Sequence, residues 1–369
     1  MPVEAQHVLE PGIVAFILFL GVWINRRRAF VKDEGDWGIE QESKFKDRKF
    51  FGYRIKSRNT ARWRRTWVSR TLYRFPFLIE VWYWLLVYWT YQIGRAITAV
   101  TLQEGTVAAA RLHALQLIHF EQRLGLFIEP SIQQFFLTKP AAIAVINKLY
   151  SFIHIPGTIS FLAWLYYYAP TAVYESRRRT LAACNLVAFV IFTTWPCMPP
   201  RLLPGSDGFG FVDTVHVMHN SSVWTTNRFS NQLAAMPSLH FGYSFVVGIT
   251  FLTTPVRSGP ARALNAPLSQ AKVRDLRATL LRAFFVGFGI LYPSTILLAI
   301  LATANHFVLD AIVGFFVVLV GFKINTILLN LLPLEDTFMY FIRAHKPEPA
   351  REGEDYYTPL EAEGYCYTA

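Results

Sequence analysis

Charge is scarce in this chain. Only 17% of its 369 residues are Asp, Glu, Lys or Arg, against roughly a quarter in a typical soluble domain. Cysteine is scarcer still, with 3 residues, which excludes a disulfide framework. Cys184, Cys197 and Cys366 also lack any zinc-binding spacing. There is no internal repeat, which excludes a solenoid, and no low-complexity tract. No nucleic-acid-binding motif accompanies the net charge of +11, so the basic residues are assigned to another anionic partner.

Apolar residues fill the space that charge leaves. They make up 53% of the chain, aromatic residues 16%, and the mean hydropathy is positive. The pattern predicts an all-α protein, a polytopic transmembrane helical bundle. Residues 11–24 form a short apolar run closed by Arg26, Arg27 and Arg28. A signal peptide carries its charge before the apolar core, so this run reads as an anchor with its N-terminus outside, or as an interfacial helix. Further spans are expected over 75–100, 141–168, 181–195, 237–254, 283–302 and 306–331. Residues 101–140 are less apolar and read as a loop plus an amphipathic helix outside the spans. The division is an N-terminal anchor and basic cytoplasmic segment (1–74), a membrane catalytic domain (75–332) and a polar cytoplasmic tail (333–369).

Arg and Lys set the orientation. The stretch 29–74 interleaves cations with aromatics, as at Arg62, Trp63, Arg64, Arg65 and Trp67. It suits contact with anionic lipid and equally a solvated basic loop. This stretch, the Arg177–Arg179 triplet and the segment 257–282 fall on one face, read as cytoplasmic. The opposite face carries 101–140, the loop 201–236 with its sequon at Asn220, and the turn near Asn305. Asn220 is a glycosylation candidate there.

Ionisable residues at the ends of membrane spans are costly and tend to be functional. Two segments at the non-cytoplasmic face carry them, Pro237-Ser238-Leu239-His240 and Asn305-His306-Phe307-Val308-Leu309-Asp310. Four residues apart on a helix, His306 and Asp310 share a face. A carboxylate bonded to one imidazole nitrogen fixes the tautomer and leaves the other as nucleophile. His240 is the candidate proton donor to a leaving oxygen. Arg201 is the candidate phosphate clamp, with Ser238 beside it as a phosphate-binding or helix-capping hydroxyl. Asn147, Tyr150, His154, Glu121, Asn231, Gln232 and Asn305 are candidates to line a headgroup pocket. Asp213, His216 and His219 form a loose set too common by chance to be assigned a metal. Metal and cofactor are both expected to be absent.

The two histidine segments resemble the type 2 phosphatidic acid phosphatase superfamily, and within it the inositolphosphotransferase branch that includes inositol phosphorylceramide synthases. In that superfamily one motif ends in Pro-Ser-x-His, matched by Pro237, Ser238 and His240. Another ends in His-x-x-x-Asp, matched by His306 and Asp310. A third supplies a lysine and an arginine followed by proline. Here Arg201 is followed by Leu202, and no lysine stands shortly before it. The phosphatase form also carries a Ser-Arg pair six to seven residues before the second histidine, where this chain has Ala299 and Ile300. The likeness covers residues 115–330.

The resemblance implies a six-helix phosphatase-like core and a phosphohistidine intermediate on His306. It also implies transfer of phosphoinositol from phosphatidylinositol to ceramide, hence a role in sphingolipid metabolism. The partners are then membrane lipids, and the site faces the lumen of the Golgi or another endomembrane, or the exterior at the plasma membrane. The alternatives are a lipid or polyprenyl phosphate phosphatase and a non-catalytic lipid-binding membrane protein. A transporter is less well served, since few charges lie deep within the spans.

Overall fold

Helix dominates the computed structural model, which describes residues 3–27, 43–100, 104–150, 154–214, 233–255 and 268–347. The helices are α1 (Val3–Ile24), α2 (Trp67–Arg74), α3 (Phe77–Val100), α4 (Glu104–Leu124), α5 (Glu129–Leu137) and α6 (Pro140–Lys148). They continue as α7 (His154–Tyr168), α8 (Thr171–Thr194), α9 (Leu239–Thr253), α10 (Leu268–Ala302), α11 (Val308–Ile324) and α12 (Leu332–Phe341). Two helical stretches, Leu276–Ala302 and Val308–Phe341, are long and apolar enough to cross a bilayer; Leu9–Ile24 and Leu239–Thr253 are shorter apolar helices.

Several boundaries differ from the sequence expectation. The chain is mostly helical, as expected, with one addition: β1 (Phe45–Phe50) and β2 (Tyr53–Arg58) pair antiparallel inside the basic segment. Phe50 pairs with Tyr53, so Phe51-Gly52 is a two-residue turn. Both turn residues have positive φ, 45° and 89°, as a type I′ hairpin turn requires. Helix α8 starts ten residues before 181 and takes the Arg177–Arg179 triplet into its own length. Helix α10 likewise starts before 283 and runs for 35 residues. Helical hydrogen bonding continues past the apolar stretch in both cases; hydropathy marks only the apolar part. The described parts of 141–168 include α6 up to Lys148 and α7 from His154. Helix α12 meets the hairpin, where Lys46 and Arg48 each reach Asp336 at 2.8 Å.

Close helix packing sets the frame for the site. Helix α9 lies against α10 and α11, and α8 lies against α11. Small residues allow the approach. A Cβ at Gly248 would come 2.5 Å from the carbonyl oxygen of Gly289, and a Cβ at Gly314 2.6 Å from that of Ser238. Above these helices, Ala110, Ala114, Leu117 and Ile118 of α4 pack on Cys197, Met198, Leu233, Ala235 and Phe307. Residues 197–198 and 233–235 run side by side, with Cys197 N–H donating to Leu233 O and Ala235 N–H to Cys197 O. The apolar cluster and this short ladder hold two loop segments and the start of α11 together.

Candidate active site

Local turns deliver the first histidine segment. Ser238 is buried, and its side chain accepts from the N–H of Phe241 to cap α9. His240 follows in the first turn of that helix. Its ring lies 4.4 Å, centroid to centroid, from Tyr150 and 5.7 Å from His306. Tyr150 thus packs against one histidine of the pair.

A sharp reversal delivers the second. Helix α10 ends at Ala302, and Ala304 takes a left-handed backbone with φ of 50°, uncommon for a residue with a Cβ. Asn305 N–H closes back on Ile300 O at 3.0 Å. His306 therefore sits in the turn, two residues ahead of α11, and not on the helix with Asp310. Its Nδ1 is 2.7 Å from the carbonyl oxygen of Ala235 and 3.4 Å from Asp310 Oδ2. A carbonyl only accepts, so Nδ1 carries the hydrogen and Nε2 the lone pair. The expected carboxylate bond to the imidazole is thus replaced by a main-chain one. Asp310 Oδ2 accepts from Phe307 N–H at 2.9 Å instead.

Two more carboxylates join Asp310 at this helix start. Glu129 Oε1 accepts from Val308 N–H and Glu121 Oε1 from Leu309 N–H, each at 2.8 Å. Three consecutive backbone donors each have a side-chain acceptor, which offsets the open N–H groups of a helix start. Glu121 is therefore buried behind the histidine turn, and its expected place in a headgroup pocket is not where it lies. Both glutamates lie outside the expected spans. Burial, and then the charge of Glu129, raises the Glu121 carboxyl to about 9. Burial raises Glu129 as well. One oxygen of each, Oε2, has no hydrogen-bond partner among the described residues. Burial and the neighbouring carboxylate both favour the protonated form of Glu121.

Arg201 stands next to this turn. Its backbone N–H donates to Ala304 O at 2.9 Å, its Nε to Asn305 Oδ1 at 2.7 Å and its Nη1 to Asp213 Oδ2 at 3.0 Å. Asn305 is in turn fixed through Thr303 Oγ1 at 2.7 Å. Asn305 therefore orients the arginine. Asn147 is also committed to structure: it donates to Thr214 O and accepts from Thr214 Oγ1, both at 3.0 Å. Gln133 grips Val212 in the same way, donating to its carbonyl at 2.8 Å and accepting from its N–H at 3.0 Å. Ala299 and Ile300 are buried, and Ile300 packs in an apolar cluster with Ile296, Leu301 and Ala311. No cation stands at those two positions.

Of the residues singled out in the sequence, His240, His306, Asp310, Arg201, Asn305 and Tyr150 surround this point, with Ser238 and Glu121 behind it. The side chain of His154, and all of Asn220, Asn231, Gln232, His216 and His219, lie outside the described residues. Sequence reasoning missed Glu129, Gln133, the pairing of Asp213 with Arg201, and the Ala235 carbonyl. Glu121, Glu129 and Gln133 did carry a weak signal as polar residues regularly spaced across a helix–Gly–helix junction.

A model of one protein family, described as the PAP2 superfamily, matches residues 115–267 and 275–324, more than half of the chain. No curated protein and no solved structure matches it.

Proposed function

The chain belongs to the PAP2 superfamily, whose members are typically lipid phosphoester phosphatases or phosphotransferases, and on that premise we propose that it is a membrane lipid phosphotransferase working through a phosphohistidine. The observation that carries the reading is the pairing of two imidazoles, one with its Nδ1 hydrogen held by a main-chain carbonyl. In the first step His306 Nε2 attacks phosphorus of a phosphodiester. The bond to the glycerolipid oxygen breaks, and His240, as imidazolium, gives that alkoxide its proton. The headgroup phosphate remains on His306. In the second step neutral His240 takes the proton of an incoming hydroxyl, whose oxygen attacks phosphorus and releases His306. Asp310, near Nδ1, stabilises the positive charge on His306 during both steps. Arg201 binds the phosphoryl oxygens.

The donor in this reading is phosphatidylinositol and the acceptor is ceramide, giving an inositol phosphorylceramide and diacylglycerol. Support comes from the shortage of cations. A phosphodiester carries one negative charge where a monoester carries up to two, and the apolar Ala299 and Ile300 add none. In this reading the helices form a polytopic bundle around a six-helix core. The site faces the lumen of the Golgi or another endomembrane, with Asn220 on that side and the basic hairpin on the cytoplasmic side. Glycan mapping at Asn220 tests the orientation.

The second reading is a lipid phosphate phosphatase, in which water replaces the acceptor hydroxyl. The two histidines and Arg201 favour it equally. Purified protein in liposomes separates the two. Ceramide-dependent product from phosphatidylinositol supports the transferase. Inorganic phosphate from phosphatidic acid, with no ceramide-dependent product, supports the phosphatase. No turnover of either lipid identifies a binding protein.

A further inference from the structure

Asp213 has no counterpart among the residues that the chemistry above requires, yet it is held in place with some care. The triplet Val212-Asp213-Thr214 is gripped from both sides. Gln133 of α5 makes two hydrogen bonds to the backbone of Val212, and Asn147 of α6 makes two to Thr214. Both amides are buried, at 1% and 0% exposure. An amide that both donates to and accepts from one residue fixes the local backbone in position and rotation. The middle residue is thereby aimed, and it is aimed at Arg201, at 3.0 Å.

That pairing changes what the arginine offers a ligand. The Arg201 side chain is 8% exposed and that of Asp213 19%. In such a poorly solvated place two opposite charges at contact distance largely cancel at longer range. The guanidinium still presents directed N–H groups, but the carboxylate beside it offsets part of its charge. A carboxylate so placed repels a dianion about twice as strongly as a monoanion. The buried Ala299 and Ile300 supply no compensating cation.

We propose that Asp213 is a specificity-determining residue which, by pairing with Arg201, makes the site favour singly charged phosphodiesters over doubly charged phosphomonoesters. The inference rests on the reading of this site as a phosphoryl-transfer centre. It adds that one residue outside the histidine motifs separates a transferase from a phosphatase. Gln133 and Asn147 are positioning residues that act through it.

The test is Asp213→Asn. Asparagine keeps an oxygen to accept from Arg201, and the backbone grip does not depend on the carboxylate, so the substitution removes charge with little change of shape. Full-length protein in liposomes is assayed on phosphatidylinositol with ceramide and, separately, on phosphatidic acid. In the variant, kcat/KM for phosphatidic acid should rise relative to phosphatidylinositol by roughly tenfold or more, the size expected for one unit charge several ångströms away at an effective dielectric near 20. Asp213→Glu should keep the wild-type ratio. Gln133→Ala and Asn147→Ala should lower both activities together, as a loosened scaffold would. A second readout needs no turnover. Binding of inorganic phosphate and of dimethyl phosphate is measured by calorimetry on the same proteins, and Asp213→Asn should tighten phosphate relative to dimethyl phosphate by a similar factor. An unchanged ratio in both readouts, with the variant monodisperse, overturns the proposal. A shifted binding ratio in a protein that turns over neither lipid upholds it and overturns the phosphotransferase reading.

Discussion

Asp310 lies 3.4 Å from Nδ1 of His306, yet its hydrogen bond goes to the backbone N–H of Phe307 at 2.9 Å. The residue thus has two separable roles, a charge beside an imidazole and a cap on a helix. Asp310→Asn keeps an acceptor for Phe307 and loses the charge. Turnover should fall by roughly 10²-fold, the low end for acid–base catalysis and less than a triad carboxylate's share, because Ala235 still fixes the tautomer. Asp310→Ala loses the cap too and should unfold more easily by about 1 kcal/mol. Single-turnover kinetics and thermal unfolding of both variants separate the roles. Equal turnover in Asp310→Asn and wild type would refute the charge role.

His306 and His240 should differ in kind. His306→Ala should abolish turnover and leave no covalent adduct. His240→Ala should lose turnover of a natural lipid but still form the adduct from a p-nitrophenyl phosphodiester, whose leaving group needs no proton. Mass spectrometry of rapidly quenched protein reads the phosphohistidine directly. An adduct persisting in His306→Ala assigns the nucleophile elsewhere.

The paired glutamates predict a pH dependence of stability. A carboxyl raised from 4.5 to about 9 on folding, as Glu121 is, contributes stability that is fully present below 4.5. That contribution is lost as pH climbs through about 9. Glu121→Gln mimics the protonated form and still accepts from Leu309 N–H. Its melting temperature should therefore fall less between pH 5 and 9 than that of the wild type. Its activity at pH 7 should stay within a few-fold of wild type, whereas Glu121→Ala should lose far more. Parallel melting curves for Glu121→Gln and wild type across that range would count against a raised Glu121 carboxyl.

Gly314 predicts a steric effect at a distance from the chemistry. A Cβ there would meet the carbonyl oxygen of Ser238 at 2.6 Å, forcing α9 away from α11 and His240 away from His306. Gly314→Ala should cost about 1–3 kcal/mol and reduce turnover by more than its loss of stability explains. Gly287→Ala meets nothing within 4 Å and serves as the control.

Excess chelator should leave the rate of the purified protein unchanged, because imidazole and guanidinium take the roles a metal would have. A rate lost on chelation and restored by one added metal would overturn the mechanism.

The sequence was informative wherever chemistry sits in side chains of unusual type for their surroundings. Histidines, an aspartate and an arginine at the ends of apolar runs pointed to one place; the structure sets His240 5.7 Å from His306, Asp310 beside His306, and Arg201 against Asn305 of the same turn. It was uninformative where the role depends on burial or on the main chain. Glu129 and Gln133 look like surface residues of an amphipathic helix until packing buries them. The Ala235 carbonyl has no signature at all, since every residue carries one. Hydropathy also fixed helix centres better than ends, because α8 and α10 continue through arginine-rich turns that the apolar pattern does not mark. The hairpin was hidden by its cations, although Phe51-Gly52 carried the turn signal.

The bond from His306 to the main chain of residue 235 also bears on how this protein tolerates mutation. A side-chain partner is lost with one codon change, whereas any amino acid at 235 brings the same oxygen. What can drift is only its position, which the ladder to Cys197 and the packing on α4 restrain. The tautomer of the proposed nucleophile is thus insulated from point substitution. Substitutions around it can then alter contacts to a lipid while the reacting nitrogen stays primed.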